Sequence, residues 1–212
     1  MARVRPIDGP DPMKKILSSA ALALALAGGP AIAALPPETL ISGMTEQVLA
    51  KIAQSEGHLD AAAMQDLIET LVMPSVDFRS MTARAVGPRW RSASDAQKDR
   101  LMSAFEALLV KTYAGAFAQA GGARFRLKST IAIDATTQEV RSEVALPRGG
   151  DPIALSYRMS LQGDEWKVVD VGVMGVWLVA TYQSQFAQVL QNSDIDGLIR
   201  TLAEKARARA VP

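Results

Sequence analysis

The residue types that most often perform chemistry are sparse in this 212-residue chain. It contains no cysteine, which excludes thiol nucleophiles and thiolate metal sites, and His58 is its only histidine. His58 stands in the polar segment SEGHLD with no second ligand at metal-binding spacing. We therefore interpret it as a solvated loop residue rather than a catalytic base or a metal ligand.

Asp170 is the one acidic residue in the middle of an otherwise apolar stretch, WKVVDVGV at residues 166–173. Burial raises the pKa of a carboxyl group, and such a group could act as a general acid or base. The alternative is a structural carboxylate at the strand edge or near a cavity mouth, hydrogen-bonded to Tyr or Lys. The sequence leaves both interpretations open.

The other groupings that could support catalysis have simpler explanations. Glu139 and Glu143 alternate with Arg141, a pattern that indicates a solvated charge ladder rather than paired catalytic carboxylates. No Gly-x-Ser-x-Gly nucleophile elbow occurs. The pairs Gly121-Gly122 and Gly149-Gly150 lack the spacing of a phosphate loop and are typical of turns.

The first 33 residues have the pattern of a secretory signal peptide. Met13, Lys14 and Lys15 precede the apolar run ILSSAALALALA, and Ala31 and Ala33 provide the small residues before a cleavage site. We expect Met13 to be the initiator, residues 1–12 to be an over-long start, and cleavage to follow Ala33. The apolar run is shorter than the roughly 20 residues that span a bilayer. The sequence thus predicts an exported protein with one domain over residues 34–212.

The charge balance excludes one class of partner. Residues 1–33 hold four of the 23 basic and two of the 22 acidic residues, which leaves 19 basic and 20 acidic residues in the predicted domain. A nucleic-acid-binding domain would show a basic excess, so we expect no nucleic-acid partner. Because the chain has no cysteine, packing alone must stabilise the exported domain.

Helical periodicity fills the first half of the predicted domain. Apolar residues recur at spacings of three and four, and Ser94 with Gln97 forms a capping-box pattern before the longest helix. Asp60 is a candidate helix cap. The predicted helices cover residues 38–54, 61–72, 77–86 and 95–118.

The second half changes to strand-like alternation. Four strands, near residues 124–129, 139–146, 153–161 and 166–173, are joined by short turns and predict an antiparallel meander. Helical spacing returns from Val176 to Phe186 and again over residues 195–207. The predicted class is α+β, with a helical N-terminal half, a curved four-stranded sheet and C-terminal helices.

The predicted elements carry an excess of apolar surface. The stripe of the 95–118 helix, the inner face of the sheet and the 176–186 helix are each apolar enough to pack fully on one other surface. They could fill one another as an ordinary core or surround an apolar cavity. Periodicity alone does not distinguish the two.

Several blocks of the chain resemble the MlaC, or toluene-tolerance, family. The blocks cover essentially the whole predicted mature chain in the expected order. They are VDF at 76–78 with Met81, VGPRWRSAS at 86–94 with Gln97, FEALLVKTYA at 105–114, YR at 157–158, WKVVDV at 166–171 and GVWLVATYQSQF at 175–186.

The resemblance implies a soluble, periplasmic and non-enzymatic carrier of glycerophospholipid, with a cone-shaped, NTF2-like fold around a lipid cavity. It implies no cofactor other than the lipid cargo, and we expect a monomer. The implied partners are an inner-membrane ABC transporter complex with an MCE-domain subunit and an outer-membrane lipoprotein associated with a porin.

If the apolar surfaces line such a cavity, their periodicity predicts which residues face the lipid. Arg126, Arg158 and Lys167 are candidates for headgroup contact, with solvated strand residues as the alternative. The predicted lining residues are Phe105, Leu108, Leu109, Tyr113, Phe117, Phe125, Leu127, Val144, Leu155, Tyr157, Met159, Val171, Met174, Leu178 and Tyr182.

Two positions depart from the family pattern. Many relatives have an acidic residue before the glycine of the GV pair and a serine after the pair, where this chain has Met174 and Trp177. Both changes make the turn more apolar. A hopanoid carrier, as in one branch of the family, is therefore an alternative, and a periplasmic enzyme that uses Asp170 is another.

Overall fold

The computed structural model describes residues 34–55 and 59–208, so the predictions for the signal peptide, Met13 and His58 lie outside the described residues. Six α-helices and five β-strands follow one another in these ranges. The helices are α1 (Pro37–Gln54), α2 (Ala61–Leu67), α3 (Phe78–Val86), α4 (Asp95–Ala118), α5 (Leu178–Asn192) and α6 (Ile195–Arg207). The strands are β1 (Arg124–Ala132), β2 (Thr137–Ala145), β3 (Ile153–Gln162), β4 (Glu165–Val173) and β5 (Val176–Trp177).

Four of the six described α-helices begin at a residue whose side chain caps the first turn. The Asp60 carboxylate accepts a hydrogen bond from the Ala63 N–H at 2.8 Å. Ser94 and Gln97 form the predicted capping box, with hydrogen bonds of 3.2 and 3.0 Å at the start of α4. These two predictions are confirmed, and each cap satisfies N–H groups that the first helical turn leaves unpaired.

The predicted helix over residues 61–72 is only partly correct. The α-helix ends at Leu67. A π-helical turn then covers Ile68–Val72, and the Met73 N–H after it donates a hydrogen bond to the Ile68 carbonyl. A short 3₁₀ turn, Met73–Ser75, follows and contains Pro74. Single π turns are uncommon and occur frequently at functional sites.

The sheet is an antiparallel meander in the order β1-β2-β3-β4-β5, so the prediction of four strands was wrong by one. Met174 and Gly175, with φ of 50° and 82°, form a two-residue turn that reverses the chain after β4. Val176 then pairs with Val173, and Trp177 pairs with Gly172. The predicted helix therefore starts at Leu178 instead of Val176, because two residues first complete a hairpin.

The sheet is curved by two register shifts. One lies between Leu127 and Ser129 in the β1–β2 pair, and the other between Arg158 and Met159 in the β3–β4 pair. Bulges of this kind bend a strand and increase its twist. The sheet consequently has a concave face on which helices can pack.

The helices pack through three hydrophobic clusters in the described residues. In the first, α3, α4, α5 and α6 bury an aromatic group in which the Phe105 ring lies 4.8 Å from Tyr182, 5.1 Å from Phe186 and 5.4 Å from Phe78. In the second, Ile41 of α1 packs on Met159 and Trp166 of the sheet. In the third, Val48 and Ile52 of α1 pack on Leu67 of α2.

The start of α6 provides a stability test because Gly197 has no room for a side chain. A Cβ atom at this position would lie 2.7 Å from the Cβ of Ser193. We expect Gly197→Ala to lower the free energy of unfolding by about 1–3 kcal/mol, since the helix or Ser193 must move. Urea denaturation monitored by circular dichroism measures this change.

Gly43 is the matched control within α1. An added Cβ there would meet no atom within 4 Å. Gly43→Ala is expected to raise the free energy of unfolding by about 0.4–1 kcal/mol, because alanine restricts the unfolded chain. Equal effects of the two substitutions would contradict the steric explanation.

Candidate functional site

An apolar cavity of about 370 Å³ lies between the concave face of the sheet and the helices. Its walls come from α1, the π turn with Met73, α3, α4, the adjoining halves of β2, β3 and β4, and the first residue of α5. The lining residues are Met44, Thr45, Val48, Leu49, Ile68, Val72, Met73, Val76, Phe78, Met81, Glu106, Leu109, Val110, Tyr113, Ala116, Phe117, Ala120, Val144, Leu146, Ile153, Leu155, Tyr157, Val171, Val173 and Leu178.

The lining is almost wholly apolar. Thr45, Glu106, Tyr113 and Tyr157 are its polar members, and no lysine or arginine belongs to it among the described residues. A cavity of this composition suits the hydrocarbon part of a ligand, because each apolar contact removes surface from water. A charged headgroup would find no cationic partner inside it.

Eight of the fifteen predicted lining residues line this cavity. Three come from one face of α4, four from the inner face of the sheet and one from the start of α5. They are Leu109, Tyr113, Phe117, Val144, Leu155, Tyr157, Val171 and Leu178.

The other predicted residues lie elsewhere. Phe105, Leu108 and Tyr182 are buried in the cluster formed by α3, α4, α5 and α6, and Met159 is fully buried between α1 and the sheet. Phe125 packs beside that second cluster.

Leu127 and Met174 are the two predicted lining residues on the surface. Leu127 is 39% exposed because β1 is the edge strand of the sheet. Met174 is 61% exposed at the tip of the β4–β5 turn, where its backbone is left-handed.

The packing of helix α4 explains why only some of the predicted lining residues face the cavity. Its broad apolar stripe consists of two adjacent stripes. Leu101, Phe105 and Leu108 face the helical cluster, whereas Leu109 and Tyr113 face the cavity. Residues at i, i+3, i+4 and i+7 define each face, so one wide stripe can serve two partners.

Sequence reasoning missed the walls that the N-terminal helices provide. Met44, Val48 and Leu49 belong to the apolar side of α1, and Ile68, Val72 and Met73 come from the π turn and its end. The apolar periodicity of α1 could have predicted the residues that this helix contributes to the cavity wall. The π turn has no comparable sequence signal.

Glu106 is the least expected lining residue. Its Oε1 atom is buried and has no hydrogen-bond partner in the protein. Burial raises the pKa of this carboxyl group, and the neighbouring Glu69 carboxylate raises it further. The site therefore disfavours ionisation of this acid relative to its ionisation in water.

The raised pKa of Glu106 gives a pH-dependent stability. Folding increases the affinity of this group for a proton, so its contribution favours the folded state below its ordinary pKa of about 4.5 and is lost as the pH rises through the folded-state value. We expect Glu106→Gln to be more stable than the wild type at pH 8 and to lose this advantage toward pH 4. Urea denaturation of delipidated protein across this range is the measurement, and parallel pH profiles for the two proteins would contradict it.

The family model described as MlaC protein matches residues 42–204, which is most of the chain. The chain belongs to the MlaC family. The resemblance inferred from the sequence blocks is thereby confirmed, and the α+β class with a curved antiparallel sheet agrees with it.

Two curated relatives share this MlaC-family pattern. One is the intermembrane phospholipid transport system binding protein MlaC of Haemophilus influenzae, 22% identical over 83% of this chain and 85% of the relative. The other is the toluene tolerance protein ttg2D of Pseudomonas putida, 26% identical over 84% of this chain and 85% of the relative.

A solved structure shares the fold. The phospholipid-binding protein of Ralstonia solanacearum, in complex with a phospholipid, superimposes with a TM-score of 0.75 at 31% identity, and the match covers 80% of this chain and 96% of the other. The sheet and helices that surround the cavity therefore have a counterpart in a lipid-bound protein.

In this MlaC-family chain, Asp170 is directed to a helix rather than to the cavity. It is 5% exposed, and its Oδ1 atom accepts hydrogen bonds from the N–H groups of Val171 at 2.9 Å and Val179 at 3.1 Å. Val179 lies in the first turn of α5, whose own N-cap residue, Trp177, supplies no side-chain cap. Burial raises the pKa of Asp170, while these N–H groups and Arg158 act in the opposite direction. Asp170 is thus a cap supplied from the neighbouring strand.

The three cations considered for headgroup contact are engaged with the protein itself. The Arg126 guanidinium lies 3.4 Å from Glu143, and the Lys167 ammonium lies 2.7 Å from Glu165 and donates to the Pro74 carbonyl at 3.0 Å. The Arg158 guanidinium stacks 4.4 Å from the centre of the Trp177 ring. None of the three lines the cavity.

Residues 34–55 and 59–208 contain no group of three or more His, Cys, Asp or Glu side chains arranged to hold a metal ion. No helix in the same part of the chain is both long and apolar enough to cross a bilayer.

Proposed function

We propose that this protein is a non-enzymatic carrier that binds the acyl chains of a glycerophospholipid in the cavity between sheet and helices. The observation that carries the proposal is the lining, in which apolar side chains from five helical segments and three strands enclose one space. The phospholipid bound to the structurally similar Ralstonia protein supports it. The eight predicted residues at the cavity are then the proposed chain-binding residues, together with the walls from α1 and the π turn.

The energetics of lipid transfer explain why such a carrier needs enclosure. Exposure of an acyl chain to water costs about 0.8 kcal/mol per methylene, and therefore on the order of 20 kcal/mol for the two chains of a phospholipid. An apolar interior removes this cost without any directional interaction. No catalytic group is required for the task.

The cavity must enlarge to accept two chains. Its volume of about 370 Å³ is at the lower end of the roughly 300–1,000 Å³ typical of pockets for much smaller ligands. Met44, Met73 and Met81 line it, and their flexible thioether side chains can change rotamer at low cost. We infer that these side chains and the π turn yield when the lipid enters.

The proposed setting is the periplasm of a Gram-negative cell, reached through the predicted signal peptide. There the protein would act as a monomeric shuttle between an inner-membrane ABC transporter complex with an MCE-domain subunit and an outer-membrane lipoprotein–porin complex. The name of the Haemophilus relative, an intermembrane phospholipid transport system binding protein, supports this setting.

Native mass spectrometry of the purified protein tests the proposal. We expect one protein chain with a mass increment equal to a two-chain phospholipid, released on denaturation. A hopanoid increment would favour the alternative cargo. Protein that remains lipid-free both after purification and after incubation with phospholipid vesicles would contradict the proposed function.

A further inference from the structure

The carboxyl group of Glu106 is an isolated polar group in an otherwise apolar part of the cavity wall. It stands on the same side of α4 as Leu109, Val110 and Tyr113, which lie three, four and seven residues further along. Among the described residues that line the cavity, it is the only one with an ionisable carboxyl group. Its Oε1 atom is shielded from solvent and meets no donor or acceptor of the protein.

A buried polar atom without a partner is costly, so its presence in a wall that leucine or valine could form requires an explanation. A resident water would need two or more polar partners to be held there, and the neighbouring lining side chains of α4 offer few. Glu69 on the π turn is close enough to raise the pKa of Glu106, but it makes no hydrogen bond with the buried Oε1 atom. The remaining partner is a polar group of the cargo itself.

We propose that Glu106, as a neutral carboxyl group, donates a hydrogen bond to an ester carbonyl of the bound glycerophospholipid, and so selects lipids whose chains are joined through esters. This inference rests on the proposed function. The ester linkage has acceptor oxygens and no donor, so only a protonated acid can bond to it. The raised pKa of Glu106 is consistent with that protonation state.

The ester linkage is a suitable group for recognition because it lies between the charged headgroup and the hydrocarbon chains of the lipid. The apolar lining can hold chains of either an ester or an ether lipid, and the described residues that line the cavity include no lysine or arginine to hold a phosphate. A hydrogen bond from the cavity wall to the ester carbonyl thus distinguishes ester lipids from ether lipids, whose hydrocarbon chains make the same apolar contacts. One net hydrogen bond in an apolar site corresponds to about a tenfold preference.

The test is a competition between two phosphatidylcholines with matched sixteen-carbon chains, one a diester and the other a diether. Delipidated full-length protein is incubated with an equimolar mixture, and the bound lipids are measured by native mass spectrometry. We expect the wild type to prefer the diester by about tenfold. Glu106→Leu is expected to bind both lipids without preference, whereas Glu106→Gln, whose amide can still donate, is expected to keep a preference for the diester.

The outcomes separate this inference from the function on which it rests. Equal binding of the two lipids by the wild type overturns it, and so does a diester preference that survives in folded Glu106→Leu. If Glu106→Leu does not fold, equal binding of the two lipids by the wild type still overturns the inference. Binding of neither lipid by the wild type overturns the proposed function instead.

Discussion

Replacement of Val171 by tryptophan is expected to reduce lipid binding by at least about tenfold, which corresponds to about 1.4 kcal/mol. Val171 lies on β4, pairs with Tyr157 of β3 and lines the cavity. An indole at this position would occupy space that an acyl chain needs. The fraction of lipid-bound protein in native mass spectra measures the effect.

Val171→Ala is the matched control at the same position. It enlarges the cavity and removes only a small part of the apolar wall, so we expect the lipid to be retained. Addition of lipid should then raise the melting temperature of the wild type and of Val171→Ala, but not of Val171→Trp, because only a ligand that binds the folded state stabilises it. Undiminished lipid binding by folded Val171→Trp would show that the chains lie elsewhere.

The regular elements of this fold were predictable because their signals are local. Caps such as Asp60 and Ser94 lie within three residues of the N–H groups from which they accept hydrogen bonds. The alternation of apolar and polar residues in β2 and β3 indicates that each is a strand, and the short turn between them favours antiparallel pairing. The fifth strand was not predicted because a segment of two residues is too short to show the alternation that is typical of a strand. Its existence depends on the left-handed turn at Met174 and Gly175, a conformation unusual for methionine.

The cavity was predictable only in part because apolar periodicity does not identify the opposing surface. Leu108 and Leu109 are adjacent in sequence and equally apolar, yet the first packs in the helical cluster and the second lines the cavity. Glu106 was missed for a related reason. A charged residue normally marks the solvent side of a helix, and only the three-dimensional arrangement shows that Glu106 lines the cavity together with Leu109 and Tyr113.

The role of Asp170 yields the second large expected effect, a loss of stability without a loss of lipid transfer. Asp170→Ala removes the acceptor for the Val179 N–H at the start of α5 and leaves the partly buried Arg158 without its neighbouring carboxylate. We expect the free energy of unfolding to fall by about 3 kcal/mol, since a helix cap is lost, the buried Val179 N–H is left unpaired and Arg158 loses a neighbouring opposite charge. For a chain of this size the melting temperature should fall by roughly 6–12 °C.

Asp170→Asn separates this structural role from catalysis. The asparagine side-chain oxygen can still accept from Val179, so we expect a smaller loss of stability than in Asp170→Ala and nearly unchanged lipid transfer between vesicles per folded molecule. An enzyme that used Asp170 as an acid or base would lose its turnover in both variants, because an amide cannot exchange the proton. A collapse of lipid transfer in folded Asp170→Asn would therefore contradict a purely structural role for Asp170. Equal stability of the alanine variant and the wild type would show that α5 does not depend on a cap from β4.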